Sequence, residues 1–178
     1  MQKQLKKVIF LDRDGIINKK APEHQYITKW NEFVFLLDIF EVLIHLSKLN
    51  FKIIIISNQQ GIGKGILTYK DLDNIHEKMV SVLNENDILI EKIYFCPHLV
   101  SDNCNCRKPK TGLIEKAIQE LNYEIDFNNS FMIGDSESDI IAGKRIGLKT
   151  VLVNKFLNKK KSEANFIVDS LMEIIQII

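Results

Sequence analysis

The chain is poor in the residues that mark most special architectures. Its 178 residues include three prolines, eight glycines and one tryptophan, with no internal repeat and no low-complexity linker. It lacks net charge of either sign. The formal balance is +1, so no broad field draws nucleic acid or an acidic membrane surface. It also lacks a long apolar run. The opening "MQKQLKKVIFLDRDG" is basic, but the apolar stretch behind it is cut at Asp12 and no small-residue cleavage site follows. That argues against a signal peptide and a transmembrane span. The remainder, 46% hydrophobic and 26% charged, is ordinary for a soluble globular protein, and the length suits one domain over residues 1–178. The expectation is a monomeric cytoplasmic enzyme. There are only three cysteines, all between Cys96 and Cys106. In a reducing compartment such a cluster points to metal or catalysis before disulfide.

Short apolar runs and amphipathic stretches alternate along the chain. "VIFLD" (8–12), "FKIIIIS" (51–57), "KIYFC" (92–96), "SFMIGD" (130–135) and "TVLV" (150–153) have the form of buried parallel strands. Between them Leu36, Phe40, Leu43 and Leu46 recur at helical spacing. So do Leu72, Ile75, Met79 and Val82, and then Leu113, Ala117 and Leu121. Thr68, Thr111 and Ser136 are placed to cap helices. Five strand–helix alternations predict an α/β fold, a doubly wound, Rossmann-like parallel sheet with helices on both faces. The lysine-rich "NKFLNKKKSEAN" (154–165) reads as a solvated loop.

In such sheets ligands bind beyond the carboxyl ends of the strands. Asp12 and Asp14 end the first strand, Ser57 the second and Asp135 the fourth, while Lys108 follows the third. Clustered carboxylates are costly without a neutralising cation. Hard oxygen donors beside a phosphate-sized gap suit magnesium. A serine and a lysine opposite would bind phosphoryl oxygens, and an unshielded aspartate there is a competent nucleophile.

"FLDRDGIIN", "IISNQQGIGKG", "CRKPK" and "FMIGDSESD" resemble, in order, the four motifs of the haloacid dehalogenase-like (HAD) phosphatases, from about Val8 to Val153. The likeness is greatest to the small members without a large cap domain that act on heptose 1,7-bisphosphate, in nucleotide-activated heptose biosynthesis, or on histidinol phosphate. The resemblance implies Asp12 as nucleophile and Asp14 as the acid that protonates the leaving oxygen and then the base that deprotonates water. It implies Ser57 and Lys108 as holders of the phosphoryl group. It gives magnesium to Asp12, the backbone carbonyl of Asp14 and Asp135, with Asp139 behind them. "SNQQGIGKG" carries neither a dinucleotide nor a nucleoside-triphosphate fingerprint. It matches the loop after the second motif, with Asn58, Gln59 and Lys64 toward the substrate. Members that cleave sugar bisphosphates usually have arginine where Lys64 stands.

"CPHLVSDNCNCRKPK" (96–110) holds all three cysteines and a histidine. Cys96, His98, Cys104 and Cys106 form a closed tetrahedral set for structural zinc, the alternatives being free buried thiols or a redox sensor. The loop runs directly into Arg107, Lys108 and Lys110. Zinc there would fix three cations over the phosphate site, and Arg107 and Lys110 would meet a second phosphate. His45 and His76 read as ordinary helix-flank residues, and His24 as a loop residue. Phosphatase chemistry on a sugar bisphosphate stands first and another small phosphate second. A catalytically idle module whose zinc loop binds a partner or nucleic acid stands last, because both Asp12 and Asp14 are intact.

Overall fold

The computed structural model describes residues 4–154 and 162–178, so most of the lysine-rich loop reading, at 155–161, lies outside the described residues. Six parallel strands form the main sheet in the order β4-β3-β2-β6-β7-β8. They are β2 (Val8–Leu11), β3 (Lys52–Asn58), β4 (Ile90–Cys96), β6 (Phe131–Gly134), β7 (Lys149–Val153) and β8 (Phe166–Val168). A separate parallel pair joins β1 (Leu5–Lys6) to β5 (Glu124–Ile125). Five helices pack around the sheet: α1 (Ile39–Lys48), α2 (Tyr69–Asn84), α3 (Gly112–Glu120), α4 (Glu137–Ile146) and α5 (Ile174–Ile177).

The central strands are continuous apolar runs because both faces of the sheet are covered. Side chains alternate across the sheet, so Ile9, Leu11, Ile53 and Ile55 join one core with Leu43, Leu46, Ile75 and Met79 of α1 and α2. Val8, Phe10, Ile54 and Ile56 join the other with Leu113, Ala117 and Ala142 of α3 and α4. The chain is therefore doubly wound. Its order reverses at β2, which lies between β3 and β6, and a crevice opens at that switch point beyond the strand ends. The connections at residues 12–38 and 59–68 hold only one short 3-10 turn, Trp30–Glu32, and no cap domain.

Two local expectations differ. Thr68 does cap α2, its Oγ1 accepting from the Asp71 N–H at 3.1 Å while the Asp71 carboxylate accepts from the Thr68 N–H at 2.8 Å. Thr111 does not cap α3. Its hydroxyl donates to Glu115 at 2.7 Å instead. The edge strand β8 and the β1–β5 pair have no counterpart among the five expected strands, because two- and three-residue strands carry too little periodicity to be read.

Candidate active site

The switch point gathers residues far apart in the chain. Asp12 follows β2, Ser57 lies near the end of β3, Asp135 follows β6, and Asp139 sits in the first turn of α4. Lys108 reaches in from the segment after β4. Its Nζ lies 2.8 Å from Asp12 Oδ1, 2.5 Å from Asp139 Oδ1 and 2.7 Å from the carbonyl of Ile56. Lysine can only donate, so Asp12 Oδ1 and the Ile56 carbonyl take two of its ammonium protons, and Asp139 pairs with it by charge. Asp139 uses its other oxygen to accept from the Ser136 N–H at 3.1 Å and the Ser136 hydroxyl at 2.6 Å. One carboxylate thereby orients both the helix start and the buried lysine. Gly134 permits this, because a Cβ there would overlap the Asp139 side chain. At Gly15, with φ 96°, a Cβ would overlap the Asp135 carboxylate.

Burial pushes the Asp12 carboxyl up to about 7. Lys108 opposes the shift and the nearby Asp139 and Asp135 reinforce it. Burial also raises Asp135, against the ammonium of Lys20, which pairs with its Oδ2 at 2.6 Å. The other Asp135 oxygen, Oδ1, is buried without a hydrogen-bond partner. Carboxylate oxygens of Asp12, Asp135 and Asp139 come within 4.8 Å of one another. Crowded carboxylates, with Asp12 and Asp135 raised by burial and one oxygen unsatisfied, are the setting in which a hard divalent cation fits.

Asp14 borders the same cavity but is held by other partners. Arg13 Nη2 donates to both of its oxygens at 2.9 Å, Asn18 Nδ2 donates at 2.9 Å and Gln59 Nε2 at 2.7 Å. Burial works against its charge, but these donors win and hold its carboxyl below the usual range. Gln59 also donates to Ser57 Oγ at 2.8 Å, tying the second strand end to the first. The Asn58 amide spans to the Lys108 backbone with two 3.1 Å bonds, a clamp between β3 and the segment that carries the lysine.

Two cavities meet here. One of about 160 Å³ is lined by Asp12, Ser57, Lys108, Asp135 and Ser138. A second of about 280 Å³ is lined by Arg13, Lys20, His24, Tyr26, Gln60 and Lys64. Asp14, Lys20 and Asn58 border both. The Lys64 ammonium lies 5.3 Å from the Tyr26 ring centre, and Gln60 donates to the Tyr26 hydroxyl at 3.0 Å. Neither Arg107 nor Lys110 lines these cavities. Lys110 donates instead to Asn103, at 2.8 Å to its backbone oxygen and 2.7 Å to its side chain. Arg107 Nη1 is buried without a hydrogen-bond partner.

The cysteine loop closes on itself. Cys96 Sγ lies 3.6 Å from Cys104 Sγ and 3.1 Å from Cys106 Sγ, and His98 Nδ1 lies 3.1 Å from Cys106 Sγ. These gaps are far beyond a disulfide bond of about 2.05 Å. They approach the edges of a tetrahedron about a metal held at roughly 2.3 Å, so the donor set fits zinc.

Several of these residues escaped the sequence reading. Arg13 is 1% exposed and His76 7% exposed, and the two are hydrogen-bonded, whereas His76 was expected on a helix flank. The signal was present. Leu72, Ile75, His76 and Met79 stand at i, i+3, i+4 and i+7, so the histidine lies on the apolar stripe of α2. Lys20 and Tyr26 had no motif to mark them, and Asn18, though it closes the first motif, was given no role. His24, with φ 65°, lies on the cavity rim.

The family model described as polynucleotide kinase 3 phosphatase matches residues 7–168. A Helicobacter pylori protein named D-glycero-beta-D-manno-heptose-1,7-bisphosphate 7-phosphatase is 43% identical over 148 residues, covering 83% of this chain and 82% of that protein. The Histidine biosynthesis bifunctional protein HisB of Campylobacter jejuni is 36% identical over 143 residues, which is 80% of this chain but 40% of HisB. The solved D,D-heptose 1,7-bisphosphate phosphatase of B. bronchiseptica, complexed with magnesium and phosphate, superposes with a TM-score of 0.84 at 26% identity, over 96% of each chain.

Proposed function

The chain belongs to the polynucleotide kinase 3 phosphatase family of HAD-like phosphatases, and from that membership we propose that it removes one phosphate, the 7-phosphate, from a heptose 1,7-bisphosphate. We treat residues 1–178 as one catalytic domain working as a cytoplasmic monomer. The observation that carries the reading is the junction of the two cavities. The smaller holds Asp12, Ser57 and Lys108, Lys20 stands where the two meet, and the larger adds Lys64, a cation suited to a second phosphate. The relatives named for the heptose bisphosphate support the substrate.

In this mechanism Asp12 attacks phosphorus and the bond to the sugar oxygen breaks, leaving an aspartyl-phosphate. Ser57 and Lys108 hold the transferred oxygens, and Lys108, anchored by Asp139, steadies the Asp12 carboxylate. Asp14 gives its proton to the departing oxygen and then takes one from the water that hydrolyses the acyl phosphate. The grip of Arg13 favours ionised Asp14, the form the second half needs. For the first half the proton must be taken up as the anionic substrate enters and raises the carboxyl. Magnesium held by Asp12, Asp135 and the Asp14 backbone carbonyl would neutralise the phosphoryl charge. Zinc on Cys96, His98, Cys104 and Cys106 would order the loop that delivers Lys108. Asn58, Gln59 and Lys64 border the substrate in this reading, and Arg107, which lines neither cavity, would have to swing in to meet the remote phosphate.

Phosphate release measured across sugar phosphates, sugar bisphosphates and histidinol phosphate tests the reading. We expect the bisphosphate to lose one phosphate and the monophosphate product to be a poor substrate. Asp12→Asn should abolish turnover and leave the fold intact. Lys64→Ala should raise KM for the bisphosphate and affect a simple aryl phosphate little, with Arg107→Ala run beside it. The HisB relative favours histidinol phosphate as the second reading. A kcat/KM for histidinol phosphate equal to or above that for the bisphosphate would replace the first reading by the second.

A further inference from the structure

A buried arginine needs an acceptor for its charge and for its N–H groups. Arg13 is the largest fully buried side chain among the described residues. Its Nε and Nη2 serve Asp14, and Nη2 also reaches Gln59 Oε1 at 3.2 Å. On the far side Nη1 lies 3.1 Å from His76 Nε2. A guanidinium only donates, so His76 Nε2 is the acceptor and the ring is neutral, with its proton on Nδ1. The environment enforces that state, since burial and then the Arg13 charge push the His76 pKa down to about 3. Phe95 packs edge-on against the imidazole at 5.8 Å, and Phe33 lies 6.0 Å from the guanidinium. The arginine is therefore held at both ends. His76 and Phe33 fix its back, and its front presents a fork to Asp14.

We propose that His76 of α2 is a positioning residue for the reaction, holding the Arg13 guanidinium at the angle that keeps the Asp14 carboxylate aimed at the leaving oxygen. The inference rests on Asp14 being the acid of the proposed mechanism. An apolar residue at position 76 leaves Nη1 buried and unpaired, so the fork tilts toward whatever acceptor remains and the carboxylate moves with it. Small misplacements of a catalytic group cost large factors in rate. Glutamine restores an acceptor at similar reach and should restore the rate.

Leaving-group dependence separates positioning from general damage. A sugar phosphate releases a poor leaving group that must be protonated, whereas 2,4-dinitrophenyl phosphate needs no acid. Because kcat/KM reports events up to phosphoryl transfer, it isolates the acid step. We expect His76→Leu to lower kcat/KM on heptose 1,7-bisphosphate by about 10- to 100-fold, part of the roughly 10²- to 10⁴-fold that acid–base catalysis supplies. The aryl phosphate should change by less than about 2-fold, and His76→Gln should recover most of the loss. In an Asp14→Asn background, His76→Leu should cost nothing further. His76→Met is made in parallel, so that poor folding of one variant leaves the comparison intact. Equal losses on both substrates, an unaltered bisphosphate rate in the folded variants, or a full additional loss in the Asp14→Asn background overturns the inference and leaves the role of Asp14 standing. An Asp14→Asn enzyme that cleaves the bisphosphate normally overturns the mechanism beneath it.

Discussion

His76 shows how one side chain links catalysis to stability. It is buried neutral, with a pKa of about 3 in the fold against 6.5 for the free side chain. Below pH 6.5 the unfolded chain takes up a proton that the folded chain refuses. The unfolded state then binds more protons, so stability rises with pH through this window and falls on acidification. By pH 5 the difference amounts to about 2 kcal/mol for this one group. The Asp14 carboxylate nearby pulls the histidine the other way, but burial and the Arg13 charge dominate. We expect the urea midpoint of the native protein to fall more between pH 7.5 and 5 than that of His76→Gln, which has no ring to protonate. Parallel midpoints in the two proteins would show that His76 carries no such linkage. Lys108 presents the complementary case. Burial opposes its charge, but Asp12 and Asp139 outweigh that and keep it protonated.

At the scale of elements, the segment from Cys96 to Lys110 has little regular structure of its own. It contains one short 3-10 turn, Val100–Asp102, between β4 and α3, and Val100 is 70% exposed. Its order rests on the quartet of Cys96, His98, Cys104 and Cys106, on the Asn58 clamp and on the Lys110–Asn103 contacts. A structural zinc contributes on the order of 10 kcal/mol of apparent folding free energy, enough to hold a loop with little core of its own. Cys104→Ser should therefore lower Tm, release zinc to a chromogenic chelator, and raise KM at least as much as it lowers kcat, because it loosens the cations of the loop more than it disturbs Asp12. Protein purified free of zinc, yet fully active and equally stable, would rule out that role for the loop. Helix α4 contrasts with this loop. Its first turn is fixed by Asp139 and its second face packs on β6 and β7, so Asp135 and Asp139 sit on a rigid base.

Across the whole molecule the two groups of metal donors differ in chemistry and depth. The oxygen donors of Asp12, Asp135 and the Asp14 carbonyl at the switch point suit a hard, exchangeable cation, and the sulfur-rich quartet suits one that stays. A mild chelator followed by dialysis should abolish activity reversibly while leaving the circular dichroism spectrum and one zinc per chain by elemental analysis. Loss of zinc in step with activity would mean that the sites are not separate. No helix among the described residues is long and apolar enough to cross a membrane.

The central strands, the helix stripes and the parallel, doubly wound plan were legible in the sequence because burial on both faces writes a strong local pattern. Asp12, Ser57, Lys108 and Asp135 were legible because strand ends in such a sheet share one edge. Short-range order thus determined the main elements and the place where chemistry would gather. The grip of Arg13 on Asp14, the tie from Arg13 to His76, the pairing of Lys20 with Asp135 and the hold of Asn103 on Lys110 were decided only in three dimensions. The Arg13–His76 and Lys20–Asp135 ties join groups far apart in the chain, while the other two are choices made among neighbours within one loop. Their partners are chosen by which acceptor lies within about 3 Å once the backbone is packed, a distance that no periodicity along the chain records.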